Sequence, residues 1–265
     1  MLNPKVSIID CVVGKYMVYS TNDSLGTILL SQGIHEPSVL ELSKFIMSNS
    51  SGENILDIGA NIGTYSIPMA LQFPKLKIYS FELQRNVYYQ LCGNIFLNSI
   101  KNIEAINTGI SSNNGIIDIN TIDYSKCWNI GGYSIDKIAM QTERTDFPND
   151  SIIGFEKAQI STLDNMSIEI NKVGLIKLDI EGHEIEALKG GLKFLKNNGY
   201  PPIIFECWNF DWFKNSKDEL FAFLREIGYE NISADIGHNN YLAQSRMTHH
   251  KTFVIENNSV YLSQH

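Results

Sequence analysis

The chain has 265 residues, enough to bury a substantial core in one α/β domain with an N-terminal extension. Its 43% hydrophobic and 19% charged residues exclude a disordered chain. The formal net charge of -8, with no run of Lys or Arg, argues against a nucleic-acid partner. Cys11, Cys92, Cys127 and Cys207 form no C-x-x-C pair, which argues against a zinc site and fits a reducing compartment. No segment approaches the ~20 apolar residues of a membrane span, and the first residues do not read as a leader. A cytoplasmic protein with no membrane partner is expected.

In chain order, Val6–Val13 and Tyr16–Tyr19 predict a hairpin around Gly14-Lys15. A loop through Gly26 and Gly33 follows, and Glu36-Pro37 opens a helix with Val39, Leu40, Leu42, Phe45 and Ile46 on its apolar face. Residues 1–50 thus form an accessory hairpin and helix, and residues 51–265 the main domain. There, strands at Ile55–Ile58, Lys77–Phe81 and Ile103–Ile106 alternate with helices at Thr64–Gln72 and Asn86–Leu97. This alternation predicts a doubly wound, mostly parallel seven-stranded Rossmann-like sheet with apolar strands. Residues 111–158, rich in Asn, Ser, Gly and Asp, read as a β-hairpin insertion with a strand at Gly115–Ile119 and a mobile stretch near Gln141–Asp150. The alternation resumes with strand Leu175–Leu178, a helix over Glu184–Lys196 and strand Ile203–Phe205. A final helix is expected from Ser216, where Ser216-Lys217-Asp218-Glu219 matches a capping box, with Gly228 stopping it. Strands near Tyr229–Ile232 and Thr252–Ile255 complete the sheet.

The most informative stretch is Asn54-Ile55-Leu56-Asp57-Ile58-Gly59-Ala60-Asn61-Ile62-Gly63-Thr64-Tyr65, a strand that enters a glycine loop and then a helix. Glycine allows the tight turn and the close approach of a ligand at a strand's carboxyl end. A dinucleotide fingerprint requires G-x-G-x-x-G, and Asn61 and Thr64 stand where its second and third glycines would fall. The D-x-G-x-N-x-G pattern instead resembles the first motif of class I methyltransferases. In that reading Gly59, Ala60, Asn61, Gly63 and Thr64 form the cofactor loop, and Asp57 helps position the cofactor's amino-acid end. Glu82 ends the next strand, nineteen positions after Gly63, close to the spacing of a ribose-binding acid.

Together with Phe81-Glu82 and the run Lys177-Leu178-Asp179-Ile180-Glu181-Gly182-His183-Glu184, this segment resembles the FkbM-type methyltransferases. Leu188-Lys189-Gly190-Gly191, Ser161-Thr162-Leu163-Asp164 and Ile203-Ile204-Phe205-Glu206 extend the resemblance over roughly residues 36–207. Leu83 departs from the proline many relatives carry. The resemblance implies S-adenosylmethionine as cofactor and O-methylation of a small hydroxylated acceptor, a sugar or glycan in particular.

The expected catalytic residues are Asp179, Glu181, His183 and Glu206, which adjoining parallel strands would bring to one carboxyl-end face. The cofactor brings the activated methyl, so the chain must align the acceptor and take its proton. His183 is the candidate base, with an ordinary pKa near 6.5; the bland alternative is a histidine bonded to backbone or water at a helix start. Asp179 and Glu206 alternatively hold Mg²⁺, acidifying an acceptor diol. Glu184 and Glu186 read as first-turn helix acids. Trp208, Phe210, Trp212 and Phe213 are either a sugar-stacking platform or core. His238, Asn239, Asn240 and Tyr241 are a rim or a loop, Gly131-Gly132-Tyr133-Ser134 an acceptor wall or a turn, and His249-His250 a polar loop. The competing functions are a nicotinamide-dependent oxidoreductase and a non-catalytic cofactor-binding protein. The D/N-P-P-Y/F motif of nucleic-acid amino-methyltransferases is absent after the fourth strand, where Asp179-Ile180-Glu181-Gly182 stands.

Overall fold

The computed structural model describes residues 6–19, 23–136, 139, 149–166, 169–245, 252–256 and 259–263. The expected mobile stretch near Gln141–Asp150, apart from its last two residues, and His249-His250 lie outside the described residues.

The N-terminal hairpin forms as expected, β1 (Val6–Asp10) pairing antiparallel with β2 (Lys15–Tyr19). The loop expected through Gly26 is instead helix α1 (Ser24–Gln32). Asp23 caps it by accepting from the Gly26 backbone N–H, and Gly33 ends it at φ 69°. A capped first turn tolerates glycine, so Gly26 gave a false loop signal. Helix α2 (Pro37–Asn49) follows and buries Val39, Leu40, Leu42 and Ile46.

The central sheet has seven strands: β11 (Asn231–Ile232), β12 (Asn240–Gln244), β10 (Ile203–Glu206), β9 (Val173–Leu178), β3 (Asn54–Ile58), β4 (Lys77–Phe81) and β5 (Ile103–Ile106), in that spatial order. Only β12 runs antiparallel to its neighbours. The expectation for the seventh strand needs correction: it is Asn240–Gln244. Thr252–Glu256 (β13) pairs only with Ser259–Ser263 (β14) in a separate hairpin. Asn240 and Tyr241 are therefore buried strand residues, and only His238 and Asn239, at φ 54° and 60°, form a turn.

The connecting helices are α3 (Ser66–Gln72), α4 (Arg85–Leu97), α5 (Glu184–Lys189), α6 (Leu192–Asn197) and α7 (Lys214–Glu226). The single helix expected over Glu184–Lys196 is broken at Gly190-Gly191. A Cβ on Gly190 would lie 2.0 Å from the Ser111 carbonyl oxygen, so the chain passes too close for any side chain. Helix α7 starts two residues before Ser216 and has no side-chain cap, so the capping-box reading fails. The insertion is a three-stranded sheet in which β8 (Ile152–Ser161) pairs with β7 (Gly115–Ile122) and β6 (Gly109–Ile110), so it runs slightly past the expected boundary.

Apolar side chains fill both faces of the sheet. Ile58, Phe81, Leu178, Phe205 and Tyr241 lie on one, and Ile55, Leu175, Ile204 and Leu242 face α2 on the other. Strand order reverses between β3 and β9, which opens a crevice at their carboxyl ends. No helix among the described residues is long and apolar enough to cross a membrane.

Candidate active site

The crevice holds a cavity, partly open to solvent, which runs from the end of β4 over the glycine loop to the end of β9. Gly59, Ala60, Asn61 and Thr64 line it, as do Glu82, Asp179, Glu181 and His183. Asp57, Gly63 and Glu206 are not among its lining residues.

Two bonds set the loop: the Gly59 and Ala60 N–H groups donate to the Phe81 carbonyl at 3.0 and 2.8 Å. Asn61 holds φ 49° while its Oδ1 accepts from the Ile62 N–H, a conformation asparagine tolerates. Gly59, at φ 87°, is required for a reason the sequence does not reveal. A Cβ there would lie 1.7 Å from the Asp179 carbonyl oxygen, so this glycine lets the ends of β3 and β9 close together. Gly63 packs against Leu91 and Ile67 and serves helix packing. Asp57 is fully buried beneath the loop, where Ser66 Oγ donates to Oδ2 at 2.5 Å and Oδ1 has no partner. Burial pushes its pKa up to about 6.

Glu82 is 7% exposed, and its two oxygens accept from the backbone N–H groups of Asn61 (3.0 Å) and Gln84 (2.8 Å). Burial raises its pKa to about 7 despite those bonds. Each oxygen keeps acceptor capacity for a further donor.

At the other end, the turn after β9 carries Asp179, Glu181 and His183. Glu181 and Gly182 both take positive φ, 59° and 95°. Glu184, expected as a simple first-turn acid, folds back so that Oε1 accepts from the Ile180 and Gly182 N–H groups at 3.0 and 3.3 Å. His183 Nε2 lies 2.9 Å from Ser111 Oγ, and burial lowers its pKa below the ordinary value. Carboxylate oxygens of Asp179, Glu181 and Glu206 converge within 4.8 Å of one another, the one such metal-compatible group among the described residues. Glu206 Oε2 is buried without a hydrogen-bond partner. Burial, then Asp179 and Glu181, drive the Glu206 pKa well up.

Several lining residues were not expected. Lys177 Nζ donates to Asp179 Oδ2 at 2.6 Å and lies 3.9 Å from Glu36 Oε2. Its signal was available: a lone cation in the apolar strand Gly174-Leu175-Ile176-Lys177-Leu178. His35 and Glu36, from before α2, gave no such signal. The insertion supplies Ile135, which was likewise not expected, and Gly131 and Tyr133, which the sequence left as an acceptor wall or a turn and which line the cavity. It is pinned by Gln84, whose Nε2 donates to the Ile130 carbonyl and whose Oε1 accepts from Tyr124 O–H. The aromatic run divides: Trp208 and Phe213 are buried, whereas Phe210 and Trp212 stack at 5.5 Å nearer the surface.

A doubly wound sheet with one antiparallel strand and a glycine loop after β3 is a Rossmann-like architecture, the one class I methyltransferases share. The chain belongs to the FkbM methyltransferase family, whose Methyltransferase FkbM domain it matches over residues 57–230. It is 27% identical over 153 residues to Methyltransferase sdnD of Sordaria araneosa, covering 51% of this chain and 59% of that protein. The chain thus spans little more than half the length of that relative. Similar solved structures include a precorrin-6y C5,15-methyltransferase of Geobacter metallireducens (11% identity, TM-score 0.44, covering 80% of this chain and 89% of that one). Another is a tRNA (uracil-54, C5)-methyltransferase of Pyrococcus abyssi in complex with S-adenosyl-L-homocysteine (12% identity, TM-score 0.45, covering 90% and 43%).

Proposed function

We propose that the protein is a cytoplasmic S-adenosylmethionine-dependent O-methyltransferase acting on a hydroxyl of a small molecule, a sugar or glycan in particular. The observation that carries it is one cavity with the Gly59–Asn61 loop and Glu82 at one end and the Asp179–His183 turn at the other. The donor set fits the cofactor: Glu82 has acceptor capacity for ribose hydroxyls, and acidic groups at the far end suit a cationic ligand. When bound, S-adenosylmethionine supplies a methyl group activated on its sulfonium. The chain's own part is to align the acceptor and remove its proton. His183, kept neutral by burial, takes the hydroxyl proton, and Ser111 orients its ring. Asp57 and Gly63 support the loop from below, and Asp179 is held by Lys177.

A second reading of the same end is favoured by the convergence of Asp179, Glu181 and Glu206. Mg²⁺ held by those carboxylates would bind the acceptor oxygen and acidify it. Chelator distinguishes the two: loss of turnover in EDTA with rescue by Mg²⁺ supports the metal, and unchanged turnover removes it. The nicotinamide and non-catalytic alternatives are not favoured, since the family is one of methyltransferases. Calorimetry with S-adenosylhomocysteine and with NAD⁺ tests the whole reading. Binding of the first without the second is expected, and the reverse would overturn it.

A further inference from the structure

The wall of the cavity that faces α2 comes from outside the family-matched segment, which begins at residue 57. His35 and Glu36 stand there, immediately before α2, and both line the cavity. Glu36 is held in the left-handed region at φ 45°, ψ 58°. Glutamate is strained there by on the order of 1 kcal/mol or more, and glycine or asparagine would fit without that strain. Its side chain does not cap the helix it precedes. Instead Oε1 accepts from Asn240 Nδ2 at 2.9 Å, and Oε2 lies 3.9 Å from Lys177 Nζ. The carboxylate is thereby fixed over the end of β9 with its side chain only 12% exposed.

Register shows which end of a ligand would meet it. Lys177 pairs with Asp57, and Asp57 with Ser80, so these side chains share the sheet face that α2 covers. Glu36 reaches Lys177 on that face. His183 instead bonds Ser111 at the start of the insertion, and the charges that act on its ring are Glu186, Asp136 and Lys189, not Glu36 or Lys177. A ligand whose ribose is at Glu82 therefore meets two separate regions beyond the glycine loop. The His183 side serves the acceptor, and the Glu36 side is left for the rest of the cofactor. That side has surplus negative charge among the described residues: Glu36, Asp179 and Asp57 surround Lys177. Such a region favours a cationic group.

We infer that Glu36, contributed by the N-terminal extension, receives the α-ammonium group of the cofactor's amino-acid end and so determines recognition of that end. This rests on the proposed methyltransferase reading. In it, the extension is part of the active site.

The test is calorimetry on the full chain with S-adenosylhomocysteine and with 5′-methylthioadenosine, which shares the adenosine and thioether but lacks the amino-acid end. Glu36→Gln keeps the acceptor for Asn240 and removes the charge. Glu36→Gly removes the side chain and relieves the left-handed strain, so it guards against a variant that merely misfolds. Both are expected to weaken S-adenosylhomocysteine about 10- to 100-fold, as for a lost hydrogen bond between charged groups, and to leave 5′-methylthioadenosine within twofold. Equal weakening of both ligands, or of neither, overturns the assignment. Failure of the unsubstituted protein to bind either ligand overturns the underlying cofactor reading instead, which separates the two failures.

Discussion

Ser111 Oγ and His183 Nε2 lie 2.9 Å apart, joining the start of the insertion to the turn after β9. The bond leaves one ring nitrogen committed and fixes the ring plane, as a base needs before it can accept a proton in one direction. Glu186 and Asp136 favour the charged ring, but burial outweighs them and lowers its pKa.

His183→Ala is expected to lower turnover by about 10²–10⁴ while S-adenosylhomocysteine affinity stays within twofold. Activity of the unsubstituted enzyme should rise with pH through an inflection below 6.5 and be level by pH 7.5, because the base form exists above the lowered pKa. Ser111→Ala should lower kcat by a smaller factor and leave cofactor affinity unchanged. Near-normal turnover of His183→Ala would remove the base assignment.

Glu82 holds the glycine loop and the start of α4 together through the Asn61 and Gln84 N–H groups. Glu82→Ala should therefore weaken S-adenosylhomocysteine by about 2–3 kcal/mol. A change of a few tenths would reduce Glu82 to a structural acid of the loop. Gly131 offers a companion: a Cβ there would lie 1.9 Å from Asn61 Nδ2, so Gly131→Ala should weaken the same ligand with little loss of Tm. Gly59→Ala, in contrast, meets the backbone of Asp179 and should lower Tm sharply.

These glycines mark the limit of what the sequence could say. The β-α-β alternation was legible because apolar runs such as Asn54–Ile58 and Lys77–Phe81 must be buried on both faces. The glycine loop and Glu82 were legible because they are local to those strand ends. Contacts between distant segments were not. Glu36 meets Lys177 across some 140 residues, and Ser111 meets His183 across 72. Strand β12 escaped because Asn240-Tyr241-Leu242-Ala243-Gln244 follows a Gly-His-Asn turn and starts polar, although its place between β10 and β11 buries all five residues. Asp57 has the motif's identity, but its placement one step back on the strand points it at Ser66.

Glu184 is 1% exposed, and burial raises its pKa from 4.5 to about 7. The folded state thus holds a proton that the unfolded chain releases near 4.5. This group's stabilising contribution is full below pH 4.5 and is lost as pH rises to about 7. Glu184→Gln can still accept from the Ile180 and Gly182 N–H groups but does not titrate. Its stability relative to the unsubstituted protein should rise between pH 4.5 and 7 and then level, by at most on the order of 3 kcal/mol. Urea unfolding at pH 5 and pH 7.5 measures this. A pH-independent difference would show that Glu184 ionises normally.

Trp208 and Phe213 are buried at 6% and 1%, and both pack against Gly182, whose added Cβ would meet each at 3.3 Å. They fix the turn that carries Glu181 and His183. Phe210 is 53% exposed and stacks on Trp212 with an interplanar angle of 11°, so the pair continues the buried cluster outward from the same turn. Exposed Phe210 stacked on half-buried Trp212, beside the turn that carries His183, presents a flat apolar surface suited to the C–H face of a sugar ring. Trp212→Ala and Phe210→Ala are accordingly expected to raise KM for a carbohydrate acceptor roughly three- to tenfold and to leave cofactor affinity nearly unchanged; Tm should hold for exposed Phe210→Ala and fall for Trp212→Ala, whose ring also packs on Trp208 and Phe213. Phe213→Ala should act differently, costing about 3–5 kcal/mol of stability as a large core truncation does. Acceptor titrations at saturating cofactor, paired with thermal melts, separate the two behaviours. An unchanged KM in both Phe210→Ala and Trp212→Ala would mean that the acceptor lies elsewhere on the rim.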